Sequence, residues 1–114
     1  MKIAYIAGPY RSDSVSGVVQ NIRNAESVAI KYWKLGYAVI CPHKNAALFD
    51  GLMPDDTWLK GDLEILKRCD VLVMVRGWEK STGAKAERDF AIKNNIEVIH
   101  EEIRLCHRLQ QVAT

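Results

Sequence analysis

Four short, mostly apolar runs alternate along the chain with longer segments in which apolar residues recur every three or four positions. The runs cover residues 2–7, 37–41, 70–75 and 96–100, and their composition is typical of strands that are buried on both faces. The longer segments predict helices: one that follows residues 8–14 and is capped by Gly36, then residues 56–68, 81–95 and 103–111.

Strands that alternate with helices of this length are joined by right-handed crossovers and form a parallel sheet. The sequence therefore predicts an α/β fold, a flavodoxin-like three-layer sandwich with a four-stranded parallel sheet in the order 2-1-3-4. A length of 114 residues predicts a single domain, residues 1–114. Ligands of such sheets bind at the carboxyl edge where the strand order reverses, which here lies between the first and third strands.

Composition narrows the possible partners and the location. A formal net charge of +2 gives no reason to expect polymeric nucleic acid or a membrane surface as a partner. The start of the chain, "MKIAYIAG", predicts a strand and not a secretion signal. Cys41, Cys69 and Cys106 lack the spacing of a metal site and are typical of reduced thiols, so we expect a cytoplasmic protein.

Two carboxylates fall on the apolar faces of predicted helices. At 100° per residue, Glu87 lies among alanines and Phe90, and Asp62 lies between Cys69 and Leu66. Both helices start at the carboxyl edge and flank the strand of residues 70–75. Either residue alone fits a structural role equally well, as a buried ion pair or a bond to a loop N–H. Two inward carboxylates at matching depth favour acid/base or nucleophilic chemistry.

Other candidate residues are expected at the same edge. Tyr5 on the first strand is close enough to contact a carboxylate, although a strand tyrosine is more often plain core. The stretch "GPYRSDS" (8–14) leads to a helix N-terminus, which favours anions, but an ordinary capped turn also explains it. A loop histidine there is more often a hydrogen-bonding residue than a metal ligand. Trp58 and Trp78 could stack on a base, although packing in the core or a lid is the more common role for each. The candidate binding residues from these segments are Gly8, Pro9, Arg11, Ser12, His43, Asn45 and Trp78.

Three segments, "YIAGPY", "GDLEILKRCDVLVMV" and "GWEKSTGAKAE", together resemble the nucleoside 2-deoxyribosyltransferase-like superfamily, especially its small bacterial and phage members. The resemblance implies that Glu87 attacks C1′ of a deoxynucleoside and expels the base, which another base or water then replaces. It implies that Tyr5 holds and tunes Glu87, and that Asp62 contacts the sugar or assists protonation of the leaving base. Members of this superfamily are often homo-oligomers.

Details of the resemblance bear on the substrate. Ser81, in the S-x-G-x-x-x-E pattern that includes Gly83, occupies a position where the transferases have aspartate. The hydrolases that act on deoxynucleoside 5′-monophosphates have serine there, and an arginine that matches Arg11. They also have a serine where this chain has Pro9. The resemblance thus implies an N-glycosidase of deoxynucleoside 5′-monophosphates or related nucleotides, without metal or organic cofactor.

Two alternatives remain open at this point. One is a nucleotide-binding module that keeps the pocket but performs no chemistry, which Pro9 favours. The other is a flavodoxin-like FMN carrier, which predicts a yellow protein. Neither the G-x-G-x-x-G pattern nor the phosphate-binding loop of NTPases is present, so dinucleotide and NTP chemistry are not expected.

Overall fold

The computed structural model describes residues 1–45, 49 and 51–101. Strands β1 to β4 span Ile3–Ala7, Ala38–Ile40, Val71–Met74 and Glu97–His100. Helices α1 to α4 span Val15–Lys34, Pro42–Asn45, Asp55–Leu66 and Thr82–Lys93. A 3₁₀ turn, Trp78–Lys80, lies between β3 and α4. The predicted closing helix, residues 103–111, lies outside the described residues.

The sheet has the predicted topology. Its four strands are all parallel and lie in the order β2-β1-β3-β4. Tyr5 at the centre of β1 stands opposite Ile40 on one side and Leu72 on the other. The prediction of an α/β, flavodoxin-like four-stranded sheet in the order 2-1-3-4 is therefore confirmed.

Side chains that alternate along the strands pack into two hydrophobic cores, one on each face of the sheet. Ala4 and Ile6 of β1 pack on the α1 face, where Val28 of α1 is fully buried. Tyr5 and Ala7 point to the opposite face, which α3 and α4 cover. Because both faces of β1 and β3 are buried, these strands appear in the sequence as continuous apolar runs.

The termini of the helices depart from the predicted bounds by a few residues. The second predicted helix, residues 56–68, is observed as Asp55–Leu66, because the N–H groups of Arg68 and Cys69 bond carbonyls three residues back and tighten the last turn. The third, predicted for residues 81–95, ends at Lys93, and Asn95 adopts a left-handed φ of 59°. Ser81 caps this helix, and its side-chain oxygen accepts a hydrogen bond from the Ala84 N–H at 3.1 Å. The short helix α2 and the 3₁₀ turn were not predicted.

A buried carboxylate that the sequence analysis did not single out joins the end of β4 to α1. Glu101 is fully buried, and Lys31 Nζ lies 3.0 Å from both of its carboxylate oxygens. The Tyr32 hydroxyl also donates to Glu101, at 2.6 Å. The cation and the hydroxyl offset the cost of burying this charge, so Glu101 serves the fold and not the cleft described below.

Candidate active site

The centre of the candidate site is a contact between β1 and α4. Helix α4 presents Glu87 on the same inward face as Ala84 and Ala91, and only 7% of Glu87 is exposed. The hydroxyl of Tyr5, which is fully buried, donates a short hydrogen bond to Glu87 Oε2. One carboxylate oxygen is thereby fixed in position by a neutral donor. Helix periodicity alone predicted the inward orientation of Glu87, and the Tyr5 contact fixes its orientation.

Burial controls the ionisation of the two carboxyl groups. It raises the pKa of Glu87 from 4.5 to about 7; the Tyr5 hydrogen bond acts in the opposite direction, and the negative charge of Asp62 adds to the rise. Burial also raises the pKa of Asp62, which is half-buried, from 3.8 to about 6. The pKa of Tyr5 is raised by burial and by both carboxylates, so Tyr5 remains a donor.

Glu87 and Asp62 line one cleft at the carboxyl edge of the sheet. The cleft has a volume of about 950 Å³ and is bounded by the loop after β1 and by the first turns of α3 and α4. It lies beside the ends of β1 and β3, the position at which the strand order reverses. A volume of this size is at the upper end of what small-molecule sites occupy, roughly 300–1,000 Å³. The cleft can therefore enclose a ligand of nucleotide size.

The loop after β1 is held closely against its neighbours. A Cβ added to Gly8 would lie 2.7 Å from Val75 Cβ, so only glycine allows this approach. His43 is buried, and its Nε2 donates to the Pro9 carbonyl at 2.8 Å. Burial lowers the pKa of His43, which keeps the ring neutral. His43 lines the cleft, but its hydrogen bond shows that it fixes the loop.

The rest of this loop runs along the cleft to the N-terminus of α1. Ser12 packs closely on Gly17: a Cβ added to Gly17 would lie 1.9 Å from Ser12 Oγ. Arg11 reaches across to the start of α3, where its Nη2 lies 2.6 Å from Asp55 Oδ1. Arg11 and Ser12 both line the cleft, as predicted from the sequence.

The N-terminus of α4 forms the opposite wall. Ser81 and Gly83 line the cleft together with Thr82. Ser81 Oγ caps α4 by accepting a hydrogen bond from the Ala84 N–H. The first turn of a helix has other N–H groups that lack intrahelical partners. The macrodipole adds a positive potential at this end, so this wall suits an anionic or strongly polar ligand group.

Two of the predicted binding residues do not line this cleft. Trp78 follows Gly77, whose φ of 91° turns the chain away, and its ring packs between His100 and the Arg88 guanidinium at 5.5 and 5.0 Å. Asn45, at the end of α2, lines a separate groove between α1 and β2. Trp78 and Asn45 therefore lie outside the cleft that holds Glu87 and Asp62, and their part in ligand binding stays a prediction.

Other residues of the cleft were not among the predicted binding residues. Trp58 lines it four residues before Asp62, so one face of α3 provides both an aromatic ring and a carboxylate. Both residues fall on the predicted apolar face of α3, and this shared face was the available signal for Trp58. Asp55, Asp56 and Lys80 also line the cleft, but no periodic pattern marked them.

Two features are absent from the part of the chain that the structure describes. Within residues 1–45, 49 and 51–101, no three histidine, cysteine or acidic side chains lie close enough together to hold a metal ion. Over the same residues, no helix is both long and apolar enough to cross a membrane.

The fold and the cleft define a small flavodoxin-like α/β protein with two carboxyl groups of raised pKa at the carboxyl edge of its sheet. The chain belongs to the family described as a domain of unknown function, DUF4406, whose family model matches residues 1–100. No curated protein matches the chain. The family match covers every strand and the cleft, but its description assigns no activity.

Proposed function

We propose that the protein is an N-glycosidase that cleaves the bond between the base and the deoxyribose of a deoxynucleoside 5′-monophosphate or related nucleotide. The observation that carries the proposal is the Glu87–Tyr5 contact beside Asp62 in a nucleotide-sized cleft. The resemblance of the sequence to the nucleoside 2-deoxyribosyltransferase-like superfamily supports it. Departure of a base leaves an oxocarbenium-like centre at C1′, and a carboxylate beside that centre stabilises it.

In the proposed reaction, ionised Glu87 attacks C1′ through Oε1, because Tyr5 holds Oε2. The C1′–N bond breaks, its electron pair goes to the base, and a proton from solvent neutralises the leaving nitrogen. Water then attacks C1′ of the glycosyl ester and gives up one proton to solvent. The bond between C1′ and Oε1 breaks, its electron pair returns to Glu87 as the carboxylate, and the sugar phosphate is released. If a second base attacks instead, the same intermediate gives deoxyribosyl transfer.

The pKa values of Asp62 and Glu87 favour one of the two roles considered for Asp62, contact with the sugar, over protonation of the leaving base. Burial raises the pKa of Asp62 to about 6 and that of Glu87 to about 7, so both groups are carboxylates at a pH above these two values. An ionised Asp62 accepts hydrogen bonds, so contact with a sugar hydroxyl is the role we favour. Trp58, one turn away on α3, offers the aromatic surface on which the base can stack.

The test is release of free base from a panel of deoxynucleosides and their 5′-monophosphates, with and without a second base, separated by chromatography. We expect the wild type and the control Glu64→Gln to release base, because Glu64 lies exposed on α3. Glu87→Gln should release none. Base release that survives this substitution excludes Glu87 as the nucleophile.

The pH profile provides a second test. We expect kcat/KM to rise with pH through about 7 as Glu87 ionises. Tyr5→Phe removes the hydrogen bond that lowers the pKa of Glu87, so the rise should move to higher pH. Both proteins are measured on the same nucleotide, because its phosphate titrates near pH 6 and this contribution is then common to the two profiles. An unmoved profile in Tyr5→Phe would show that another group limits the rate.

A nucleotide-binding module without chemistry is the second candidate. Pro9 favours it, because Pro9 has no hydroxyl to offer a phosphate and its carbonyl is bound by His43. This candidate predicts stoichiometric binding of a nucleotide that is recovered intact. Release of free base by the wild type excludes it.

The proposal also includes self-association in the cytoplasm. Ile30, Trp33 and Ile40 expose 49%, 55% and 37% of their surface beside the edge strand β2, which is an area that a second copy could cover. Light scattering coupled to size-exclusion chromatography measures the mass, and a monomer at all concentrations would rule out this part. Free thiols at Cys41 and Cys69 are compatible with a reducing compartment.

A further inference from the structure

An ion pair links two segments that line the cleft. Arg11, in the loop after β1, and Asp55, the first residue of α3, both line the cleft, and Arg11 Nη2 lies 2.6 Å from Asp55 Oδ1. Both side chains are largely exposed, at 65% and 74%. Pairs this exposed are weak, because water and salt screen them, so a ligand can separate these two side chains.

We propose that Asp55 is a specificity-determining residue, which competes with the phosphate of the ligand for Arg11. This inference rests on the proposed function, which assigns Arg11 to the phosphate. A guanidinium binds a carboxylate or a phosphate through the same planar set of N–H donors. Binding of a phosphate therefore requires exchange of Arg11 from Asp55 to the ligand, whereas a neutral nucleoside leaves the pair intact.

The next residue provides a matched control. Asp56 also lies in the first turn of α3, lines the same cleft and is 66% exposed. Its carboxylate pairs with Lys60 of its own helix, with an N–O distance of 3.5 Å, and not with Arg11. Asp55→Asn and Asp56→Asn remove the same charge from the same helix turn. A difference between them therefore reports the contact with Arg11.

Calorimetric titration tests the exchange, with Glu87→Gln in every variant so that no product forms. The probes are inorganic phosphate, the four deoxynucleoside 5′-monophosphates and the corresponding deoxynucleosides. We expect Asp55→Asn to bind the nucleotides about two- to fivefold more tightly than Asp56→Asn, which is the range that an exposed ion pair allows. Affinity for the deoxynucleosides should not differ between the two variants.

Arg11→Gln completes the test, because the advantage of Asp55→Asn over Asp56→Asn should vanish once the guanidinium is gone. Equal affinities of the two variants overturn the inference, as does an advantage that persists without Arg11. Absence of binding of every probe overturns it as well. Catalysis is measured separately in chains that keep Glu87. Tighter nucleotide binding by Asp55→Asn without base release refutes the proposed reaction alone. Base release without that difference in binding refutes the exchange of Arg11 alone.

Discussion

The stability of the protein should depend on pH through Glu87 in a way that one substitution isolates. Burial raises the pKa of Glu87 from 4.5 to about 7, and each pH unit corresponds to about 1.4 kcal/mol. Ionised Glu87 therefore destabilises the folded state by about 3 kcal/mol relative to protonated Glu87. Glu87→Gln cannot ionise, and its side-chain carbonyl can still accept the Tyr5 hydrogen bond.

The sign follows from proton binding. Between pH 4.5 and about 7, Glu87 holds a proton in the folded state that it has released in the unfolded state, so the wild type loses stability as pH rises through this window. The free energy of unfolding of Glu87→Gln minus that of the wild type should therefore increase by about 3 kcal/mol from pH 4.5 to pH 8. Any constant effect of the amide on packing cancels from this change.

Urea denaturation at half-unit pH steps, with linear extrapolation to water, measures both chains. Glu64→Gln is the matched control, because it makes the same chemical change on an exposed face of α3. The pKa of Glu64 is lowered by Arg68 and Lys67, so the control should show no such increase. A flat or falling difference for Glu87→Gln between pH 5 and pH 8 would mean that Glu87 is ionised throughout, and would refute the argument from burial.

Two further predictions concern the loop after β1 and the buried carboxylate. Gly8→Ala should lower the free energy of unfolding by about 1–3 kcal/mol, because the added methyl group overlaps Val75. Gly61→Ala, on α3 with open space around it, should raise the free energy of unfolding by about 0.5–1 kcal/mol. Urea denaturation measures both variants, and equal effects would contradict the close approach of Gly8 to Val75. Lys31→Met should cost roughly 3 kcal/mol because it leaves the Glu101 charge buried. Adding Glu101→Gln to that variant should restore part of the loss by the same measurement, and no recovery would show that charge is not the cause.

The sequence alone determined the fold and the directions of the two central carboxylates. Apolar runs predicted the strands, and their alternation with helices predicted a parallel sheet. The flavodoxin-like order that we preferred for four strands is the order that the sheet adopts. Helical periodicity showed that Glu87 and Asp62 face inward, because the 3.6-residue repeat fixes direction within one element. Each of these results depends on neighbours along the chain or on general rules of connection.

Only the tertiary structure decided which side chains meet. Tyr5 and Glu87 are 82 residues apart, so no local pattern encodes their hydrogen bond, which the sequence suggested only through its resemblance to a superfamily. The raised pKa of Glu87 depends on burial in the packed structure. The direction of the Trp78 side chain depends on the left-handed turn at Gly77, and helical periodicity does not extend across such a turn. Trp58, in contrast, lies within α3, so periodicity places it on the same face as Asp62. Contacts between elements depend on the packing of whole helices against the sheet, and a one-dimensional pattern does not contain that packing.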